Sequence, residues 1–285
     1  NSVFFKNNTF NKNKAEYILR EKNLPLIPIV NKSFKPINYF TNTNQPIKKY
    51  KKINKNNTKV IIMAGGRGER LQPFTSILPK PLIPFKGKPV ITHIMQLFKN
   101  KGFNDFSISL NTKNKILSSY LLEMKKKFDF EFIYEDKPLG TAGSLKRLKN
   151  ISKNFFIINC DNLFQINPKN LIDFHAENKN LITIAASIKK FKIPYGICKL
   201  GKNKKMLKSM EEKPNIDILA NTGLYACNKK ILNFLPNKKK FDMSELINLV
   251  LKKKQKLGVF PIKDNDWKDT GNWLDYIKII QKKNK

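Results

Sequence analysis

Residues 63–82 read MAGGRGERLQPFTSILPKPL and directly follow the short apolar run Val60–Met63, which predicts a buried strand. Three glycines in this stretch allow the backbone to approach a polyanion closely and to turn its amides toward it. Arg67, Arg70 and Lys80 add positive charge to the same segment. A glycine-rich, basic turn after a buried strand is typical of a loop that binds a triphosphate.

Two common phosphate-binding motifs are excluded by the spacing within this stretch. It is not a Walker loop, because no Gly-Lys-Ser/Thr follows at the required distance. It is not a dinucleotide fingerprint either, because Leu71 stands where the third glycine should be. Taken alone, the glycines are equally consistent with a tight strand-to-helix turn.

Strand and helix patterns alternate along the rest of the chain. The predicted strands are Val60–Met63, Phe106–Leu110, Phe130–Tyr134 and Phe155–Asn159, and the predicted helices are Val90–Phe98 and Lys115–Lys127. This alternation predicts an α/β fold, a Rossmann-like, mostly parallel mixed sheet with helices on both faces. Ligands of such sheets bind beyond the carboxyl ends of the strands. We therefore expect the loops after Met63, after Tyr134 and at Asp161 to form the walls of a site.

A polar, basic stretch without periodicity, residues 48–58, predicts an exposed linker between an N-terminal segment, residues 1–47, and a main domain, residues 59–285. The N-terminal segment has a helix pattern at Ala15–Glu21, strand patterns at Ile27–Val30 and Pro36–Phe40, and a turn between them at Asn31–Lys35. This order resembles the second half of a cystathionine-β-synthase (CBS) repeat, which would make the segment a partial CBS-like unit. The alternative is an ordinary extension that packs on the main domain.

The chain is strongly basic, with 56 Lys and Arg against 21 Asp and Glu in 285 residues and a formal charge of +35. Such a field attracts nucleic acids and anionic membranes. Only four of these residues are Arg, however, and the lysines are spread through nearly every segment. Lys is the poorer residue for bidentate reading of bases. The excess therefore indicates a solvated surface, and no nucleic-acid partner is expected.

Three widely separated cysteines, Cys160, Cys198 and Cys227, indicate neither a disulfide framework nor a zinc site. They are predicted to be small core residues of a protein in a reducing cytosol. No apolar run approaches the roughly 18 residues that a membrane-spanning helix needs. We therefore predict a cytoplasmic protein without membrane insertion.

The continuation of the glycine-rich stretch identifies a family resemblance. The pattern Gly-Gly-Xaa-Gly-Xaa-Arg-Leu, followed by Pro73, Thr75 and Pro-Lys-Pro-Leu at 79–82, resembles the signature of the sugar-1-phosphate nucleotidylyltransferases, in particular those similar to mannose-1-phosphate guanylyltransferase. The resemblance implies the nucleotide-diphospho-sugar transferase fold. It also implies that the glycine loop holds the triphosphate, that Arg70 contacts the leaving pyrophosphate, and that Lys80 reaches the phosphate under attack.

A second segment, Tyr134–Ser144, resembles the loop that faces the nucleobase in this family. The nucleotide-binding residues implied by the two segments are Ala64, Gly65, Gly66, Gly68, Glu135, Gly140 and Thr141. The carboxylate of Glu135 is a suitable acceptor for the N1–H and the exocyclic amine of guanine. This chemistry favours GTP as the nucleotide.

Later motifs match the family in order. Asn159-Cys160-Asp161 and Trp267–Gly271 resemble the segments whose aspartates, Asp161 and Asp269, would hold a catalytic Mg2+. These aspartates are more than 100 residues apart, so their meeting in space is implied by the resemblance alone. Residues that would bind the sugar and its phosphate are Gly196, Glu212, Lys213 and Asn221.

These motifs together predict an enzyme of surface-glycan synthesis that joins a nucleoside triphosphate, preferably GTP, to a mannose-, heptose- or glucosamine-type 1-phosphate. Lys80, Arg70 and Asp161 would be its catalytic residues. Thymidylyl or uridylyl transfer to glucose 1-phosphate is the alternative reaction, and a nucleotide-sensing regulator without turnover is the alternative from another class. The sequence leaves a homo-oligomer open. No C-terminal left-handed β-helix, as carried by some acetylating relatives, is expected after the last predicted helix.

Overall fold

The computed structural model describes residues 4–12, 14–15, 18, 27–31, 33, 36–40, 58–66, 68–148, 150–201, 205–237 and 240–281. The chain divides into two compact units, Asn1–Tyr50 and Lys51–Lys285. Most of the predicted linker and of the predicted N-terminal helix lies outside the described residues, as does Arg67.

The N-terminal unit contains a small sheet of three strands among its described residues, β1 (Phe5–Lys6), β2 (Ile27–Val30) and β3 (Pro36–Phe40). β1 runs parallel to β2, and β3 runs antiparallel to it. β2 and β3 have the bounds that the sequence predicts. Phe5 and Ile27 are buried together in this unit. Its likeness to a CBS repeat stays a prediction.

The second unit carries the remaining described strands and the six α-helices named here. In chain order the strands are β4 (Val60–Met63), β5 (Pro84–Phe85), β6 (Lys88–Pro89), β7 (Phe106–Asn111), β8 (Phe130–Glu135), β9 (Asn154–Asn159), β10 (Asn162–Phe164), β11 (Ile182–Lys192), β12 (Ile197–Leu200), β13 (Leu207–Glu211), β14 (Asn215–Asn228), β15 (Leu257–Ile262) and β16 (Trp267–Asp269). The α-helices are α1 (Val90–Lys99), α2 (Lys115–Met124), α3 (Gly140–Gly143), α4 (Pro168–Glu177), α5 (Met243–Lys252) and α6 (Trp273–Gln281). Short 3-10 turns lie between them.

Within the described residues, the main sheet has seven strands in the order β15-β11-β14-β9-β4-β7-β8. β14 is antiparallel to both of its neighbours, and the other neighbouring pairs are parallel. The predicted α/β class with a mostly parallel mixed sheet is thereby confirmed.

The central strand β4 is apolar at every position because both faces of the sheet are covered there. Ile62 belongs to a buried cluster with α1 residues such as Ile94, whereas its neighbour Ile61 belongs to a second cluster with α5 residues such as Leu246. Successive side chains of a strand point to opposite faces of its sheet. A strand covered on both faces therefore needs apolar residues at every position.

The strand order changes direction beside β4. From β4 the chain proceeds through β7 and β8 toward one edge of the sheet, whereas β9 lies on the other side of β4. At such a switch point the loops that follow neighbouring strands diverge and leave a crevice beyond their carboxyl ends. The glycine-rich loop after β4 and the residues after β9 therefore face the same crevice.

Two long strands leave the main sheet. β15 pairs with β11 only from Ile182 to Ser187, whereas β11 continues to Lys192 in pairing with β14. In the chain between β11 and β14, the described strands β12 and β13 pair only with each other.

Cys198 lies on β12 and is exposed, so the prediction that it is a core residue is wrong. Cys160 and Cys227 are buried. No helix in the described part of the chain is long and apolar enough to cross a membrane.

Candidate active site

A cleft of about 660 Å³ opens at the carboxyl ends of β4 and β9. Its lining includes residues of the glycine loop, of the loop after β8, of the β9 end, and of the segment before α5. The lining residues are Met63, Gly65, Gly66, Gly68, Arg70, Lys80, Glu135, Pro138, Gly140, Thr141, Asn159, Cys160, Asp161, Lys240 and Asp242.

Pairing between two short strands brings Asp161 and Asp269 together. β10 and β16 run antiparallel with Asn162 opposite Asp269. Just beyond this pair, Thr270 donates its backbone N–H (2.9 Å) and its hydroxyl (2.6 Å) to the carbonyl oxygen of Asp161. Two aspartates that are distant in sequence thus come close together, and Lys80 Nζ forms an ion pair with Asp161, where both residues line the cleft.

Gly271 shows how closely these charged groups converge. A Cβ built on Gly271 would lie 2.7 Å from Lys80 Nζ and 2.9 Å from Asp269 Oδ1, and nearer still to Asp161 Oδ2. A side chain at this position would fill the space between the three groups. The backbone N–H of Gly271 also donates to Asp269 Oδ1 over 2.7 Å, which fixes that carboxylate.

The electrostatics of the pair suit a divalent cation. Burial, followed by the negative charge of Asp161, raises the pKa of Asp269 above its ordinary value. Lys80 supplies one positive charge to the two carboxylates. Carboxylate oxygens are the hard ligands that Mg2+ prefers, and its site usually combines one or two carboxylates with oxygens of the substrate and water. The donor set therefore fits Mg2+.

The glycine loop has a conformation that requires glycine at one position. Gly68 has a φ of +72°, which side-chain-bearing residues rarely adopt, and Thr75 Oγ1 donates to its carbonyl oxygen over 2.8 Å. Ala64, at the start of the loop, is buried, and its N–H donates to the Ser109 carbonyl over 3.0 Å. Ala64 therefore supports the loop from the core, with its amide already engaged.

Glu135 lies beneath the glycine loop, almost fully buried. Its Oε1 accepts from the Ser109 hydroxyl, and its Oε2 accepts from the backbone N–H of Leu139 over 3.0 Å. A Cβ on Gly65 would meet Glu135 Oε1 at 2.9 Å. The carboxylate thus joins the glycine loop to the loop after β8. Each carboxylate oxygen still has capacity for one further donor.

A family model described as nucleotidyl transferase matches residues 59–285. The chain belongs to the nucleotidyl transferase family. It is similar to the mannose-1-phosphate guanyltransferase of Saccharomyces cerevisiae, with 29% identity over 228 residues, which are 77% of this chain and 63% of that protein. It is also similar to mannose-1-phosphate guanylyltransferase 1 of Arabidopsis thaliana, with 28% identity over 184 residues, 61% of this chain and 51% of that protein. The chain thus spans less than two thirds of the length of the curated relatives it matches.

Solved structures agree with the family assignment. The crystal structure of HddC from Yersinia pseudotuberculosis complexed with GMP-PN has 25% identity and a TM-score of 0.60, and covers 79% of this chain and 99% of HddC. A putative glucose-1-phosphate thymidylyltransferase from Bacillus anthracis has 21% identity and a TM-score of 0.61, and covers 78% of this chain and 93% of that one. At 21% identity the second structure shows the fold alone.

Two residues that line the cleft, Lys240 and Asp242, were missed by sequence reasoning. Asp242 Oδ1 accepts from the backbone N–H of Thr141 over 2.9 Å and from its hydroxyl over 3.3 Å. Gly140 has a φ of +76°, and a Cβ there would lie 2.6 Å from Asp242 Oδ1. Asp242 also begins a capping box with Glu245 at the start of α5. The Asp-Xaa-Xaa-Glu spacing could have revealed that helix start, although not its contact with the cleft.

The predicted sugar-side residues do not line the described cleft. Gly196, Glu212, Lys213 and Asn221 are absent from its described lining. Glu212 and Lys213 are exposed and face each other at 3.6 Å. Asn221 donates to the Tyr225 hydroxyl over 2.8 Å. The structure therefore brings together the predicted nucleotide and metal residues. Of the predicted sugar residues, Gly196, Glu212 and Lys213 lie in the segments directly before β12 and directly after β13, and Asn221 lies on β14 within the main sheet.

Proposed function

We propose that this chain is a sugar-1-phosphate nucleotidylyltransferase that makes a nucleoside diphosphate sugar and pyrophosphate. The observation that carries this proposal is the convergence of Lys80, Asp161 and Asp269 beside the glycine loop. Transfer at phosphorus needs little covalent help from a protein, and depends on alignment and on neutralising the charge of the phosphate oxygens. The cleft offers both a glycine-rich backbone and three convergent charged groups.

In the proposed reaction, an oxygen of the sugar 1-phosphate attacks the α-phosphorus of the nucleotide. The bond between that phosphorus and the bridging oxygen breaks on the opposite side, and pyrophosphate leaves with the electron pair. Lys80 would balance charge on the phosphate under attack, and Arg70 would contact the leaving pyrophosphate. Asp161 and Asp269 would hold Mg2+, which when bound neutralises charge on the triphosphate oxygens.

GTP is the proposed nucleotide, and a mannose-type 1-phosphate is the proposed acceptor, ahead of heptose- and glucosamine-type 1-phosphates. The relatives in yeast and Arabidopsis are mannose-1-phosphate guanylyltransferases by name, and HddC was crystallised with GMP-PN. Both support a guanine nucleotide. The carboxylate of Glu135 retains acceptor capacity next to the glycine loop. Transfer of a thymidylyl or uridylyl group to glucose 1-phosphate is the second candidate.

On the acceptor side, Gly196, Glu212, Lys213 and Asn221 are proposed to contact the sugar and its phosphate. For residues 1–47 we keep the proposal of a partial CBS-like segment, separated by a linker at 48–58 from a catalytic domain at 59–285. The division of the chain into two compact units, between Tyr50 and Lys51, falls within the sequence of that linker. A cytoplasmic homo-oligomer is the proposed setting.

A pyrophosphate-release screen tests the substrates. It crosses the common nucleoside triphosphates with the 1-phosphates of mannose, heptose, glucosamine and glucose, with and without Mg2+. We expect the highest rate with GTP and mannose 1-phosphate, and none after the metal is removed with a chelator. A higher rate with TTP or UTP and glucose 1-phosphate would replace the proposed pair by the second candidate. Nucleotide binding without pyrophosphate release from any pair would favour the regulator.

Matched variants test the carboxylates. Asp161→Asn and Asp269→Asn keep the size of each side chain and remove its charge, so each should lower turnover more than about 100-fold. The thermal unfolding temperature should change little, because Asp269 already carries an energetic cost from burial beside a like charge. Near-normal turnover in both variants would eliminate the metal assignment.

A further inference from the structure

The hairpin formed by β12 and β13, residues 197–211, has one apolar face that the described part of the protein leaves uncovered. Cys198 is paired with Met210, and Leu200 with Leu207. Directly opposite residues of an antiparallel pair lie on the same face. The register shifts between Lys199 and Leu200 and skips Lys208, so Leu207 and Met210, three residues apart, both lie opposite residues of the same face of β12. Leu200, Leu207 and Met210 are 55%, 59% and 65% exposed, and Cys198 is exposed as well.

The opposite face of the hairpin is mainly polar, with the half-buried Ile197 as its apolar residue. Lys199 is paired with Ser209, and Lys199 Nζ forms an ion pair with Glu211 over 2.9 Å. The hairpin is therefore amphipathic. Every residue of β13 is exposed. A two-stranded hairpin is marginal in water unless its apolar face is covered. An amphipathic hairpin with an open apolar face points to a binding partner.

Charge identifies the class of partner. Residues 197–211 contain five lysines and one carboxylate, Glu211, which pairs with Lys199. Met206, 68% exposed, follows a segment of the sequence that contains Lys202, Lys204 and Lys205. Apolar side chains that are surrounded by lysines bind the boundary between the headgroups and acyl chains of anionic membranes, where the apolar part enters and the lysines meet the lipid charges.

We propose that the hairpin docks the protein on an anionic lipid surface, with Leu200, Leu207 and Met210 entering the interface. A second copy of the chain is the less suitable occupant. Two such hairpins would bring their lysines face to face, within molecules that each carry a formal charge of +35. The proposal concerns a surface outside the cleft and does not depend on the proposed reaction.

Sedimentation with lipid vesicles tests the proposal on the full chain. The vesicles are made of phosphatidylcholine alone or of phosphatidylcholine mixed with phosphatidylglycerol. We expect binding to the mixed vesicles, weak binding to the neutral ones, and loss of binding as salt is raised. The double variant Leu200→Asp/Leu207→Asp should weaken binding at least about tenfold.

The matched control is Leu122→Asp/Leu251→Asp, which adds the same charge at two equally exposed leucines, each 53% exposed, on α2 and α5. It should bind within about twofold of the unchanged protein. Equal weakening of vesicle binding in both double variants would show that the added negative charge alone weakens binding, and would overturn the proposal. Absence of binding to either type of vesicle would do the same. A dimer in solution that Leu200→Asp/Leu207→Asp dissociates would assign the face to a second copy.

A second measurement does not depend on the folding of a variant. Cys198 is exposed on the apolar face, whereas the other two cysteines of the chain are buried. A polarity-sensitive fluorophore attached through a thiol should therefore react at Cys198. Its emission should shift to the blue with mixed vesicles and stay unchanged with neutral ones. An emission that is the same with both types of vesicle would contradict the proposed orientation.

Discussion

Gly271→Ala tests whether the convergence of charged groups in the cleft is the working site. The added Cβ would lie 2.7 Å from Lys80 Nζ and 2.9 Å from Asp269 Oδ1, whereas ordinary contacts begin at 3.4 Å. Lys80 Nζ would therefore have to move by at least about 0.7 Å and Asp269 Oδ1 by about 0.5 Å, and Asp161 Oδ2 would have to move further. All three atoms are at the ends of side chains, which can move, so the fold can accommodate the methyl group. The same movement changes the geometry of the three charged groups in the site.

A displacement of about 1 Å in a catalytic group can cost about 100-fold in rate. We therefore expect Gly271→Ala to lower kcat/KM between about 10- and 100-fold, with a change in unfolding free energy below about 2 kcal/mol. Initial rates of pyrophosphate release, measured across Mg2+ concentrations, would report the first effect. We also expect half-maximal rate at a higher Mg2+ concentration. Urea unfolding would report the second effect.

Lys268→Ala is the control for Gly271→Ala. Lys268 neighbours Asp269 on β16, but its ammonium lies over the ring of Phe85, 5.6 Å from the ring centroid. Its loss should leave kcat/KM within about threefold of the unchanged protein. The reasoning is refuted if Gly271→Ala behaves like this control, because the three charged groups would then tolerate displacement.

The remaining predictions concern the support of the cleft and the buried histidine. Asp242→Ala should raise KM for the nucleotide, because Thr141 loses its acceptor, and should lower the unfolding free energy by about 1–2 kcal/mol, because the helix cap is lost. Glu245→Ala is the control and should lower only the unfolding free energy. An unchanged KM in Asp242→Ala would refute the link between this residue and the cleft. Burial lowers the pKa of His175 from 6.5 to about 4. Between these two pH values His175 is mostly protonated in the unfolded chain and mostly neutral in the folded chain. The unfolding free energy should then fall by about 3 kcal/mol as the pH drops from 6.5 to 4, with urea titrations as the measurement, and an equal fall in His175→Gln would assign it to other groups.

Buried strands were predictable because they are continuous apolar runs with polar ends. Val60–Met63 has the same bounds in the structure, and the helix predicted at Lys115–Lys127 ends three residues earlier, at Met124. The long strands β11 and β14 were not identified, because half of their length lies outside the main sheet and has mixed polarity. Cys198 was predicted to be a core residue because its neighbours in the sequence are apolar. Those neighbours belong to a hairpin whose apolar face is exposed.

The candidate site was predictable wherever a motif is contiguous. The glycine loop and Asp161 follow parallel strands and Glu135 ends one, and the carboxyl ends of these strands lie at one edge of the sheet. The approach of Asp269 to Asp161 depends on a pairing between two three-residue strands, which no local pattern specifies. The contact of Asp242 with Thr141 crosses about 100 residues and was missed, because its only local signal is a helix cap.

Phosphorus NMR of the complete reaction is the most direct test of the central claim. The folded chain is incubated with GTP, mannose 1-phosphate and Mg2+, beside Asp161→Asn and Asp269→Asn as controls. We predict that pyrophosphate and a nucleoside diphosphate sugar form in equal amounts, and that each variant forms them more than about 100-fold more slowly. Release of orthophosphate without a sugar nucleotide, or equal product formation in the variants, would contradict the account.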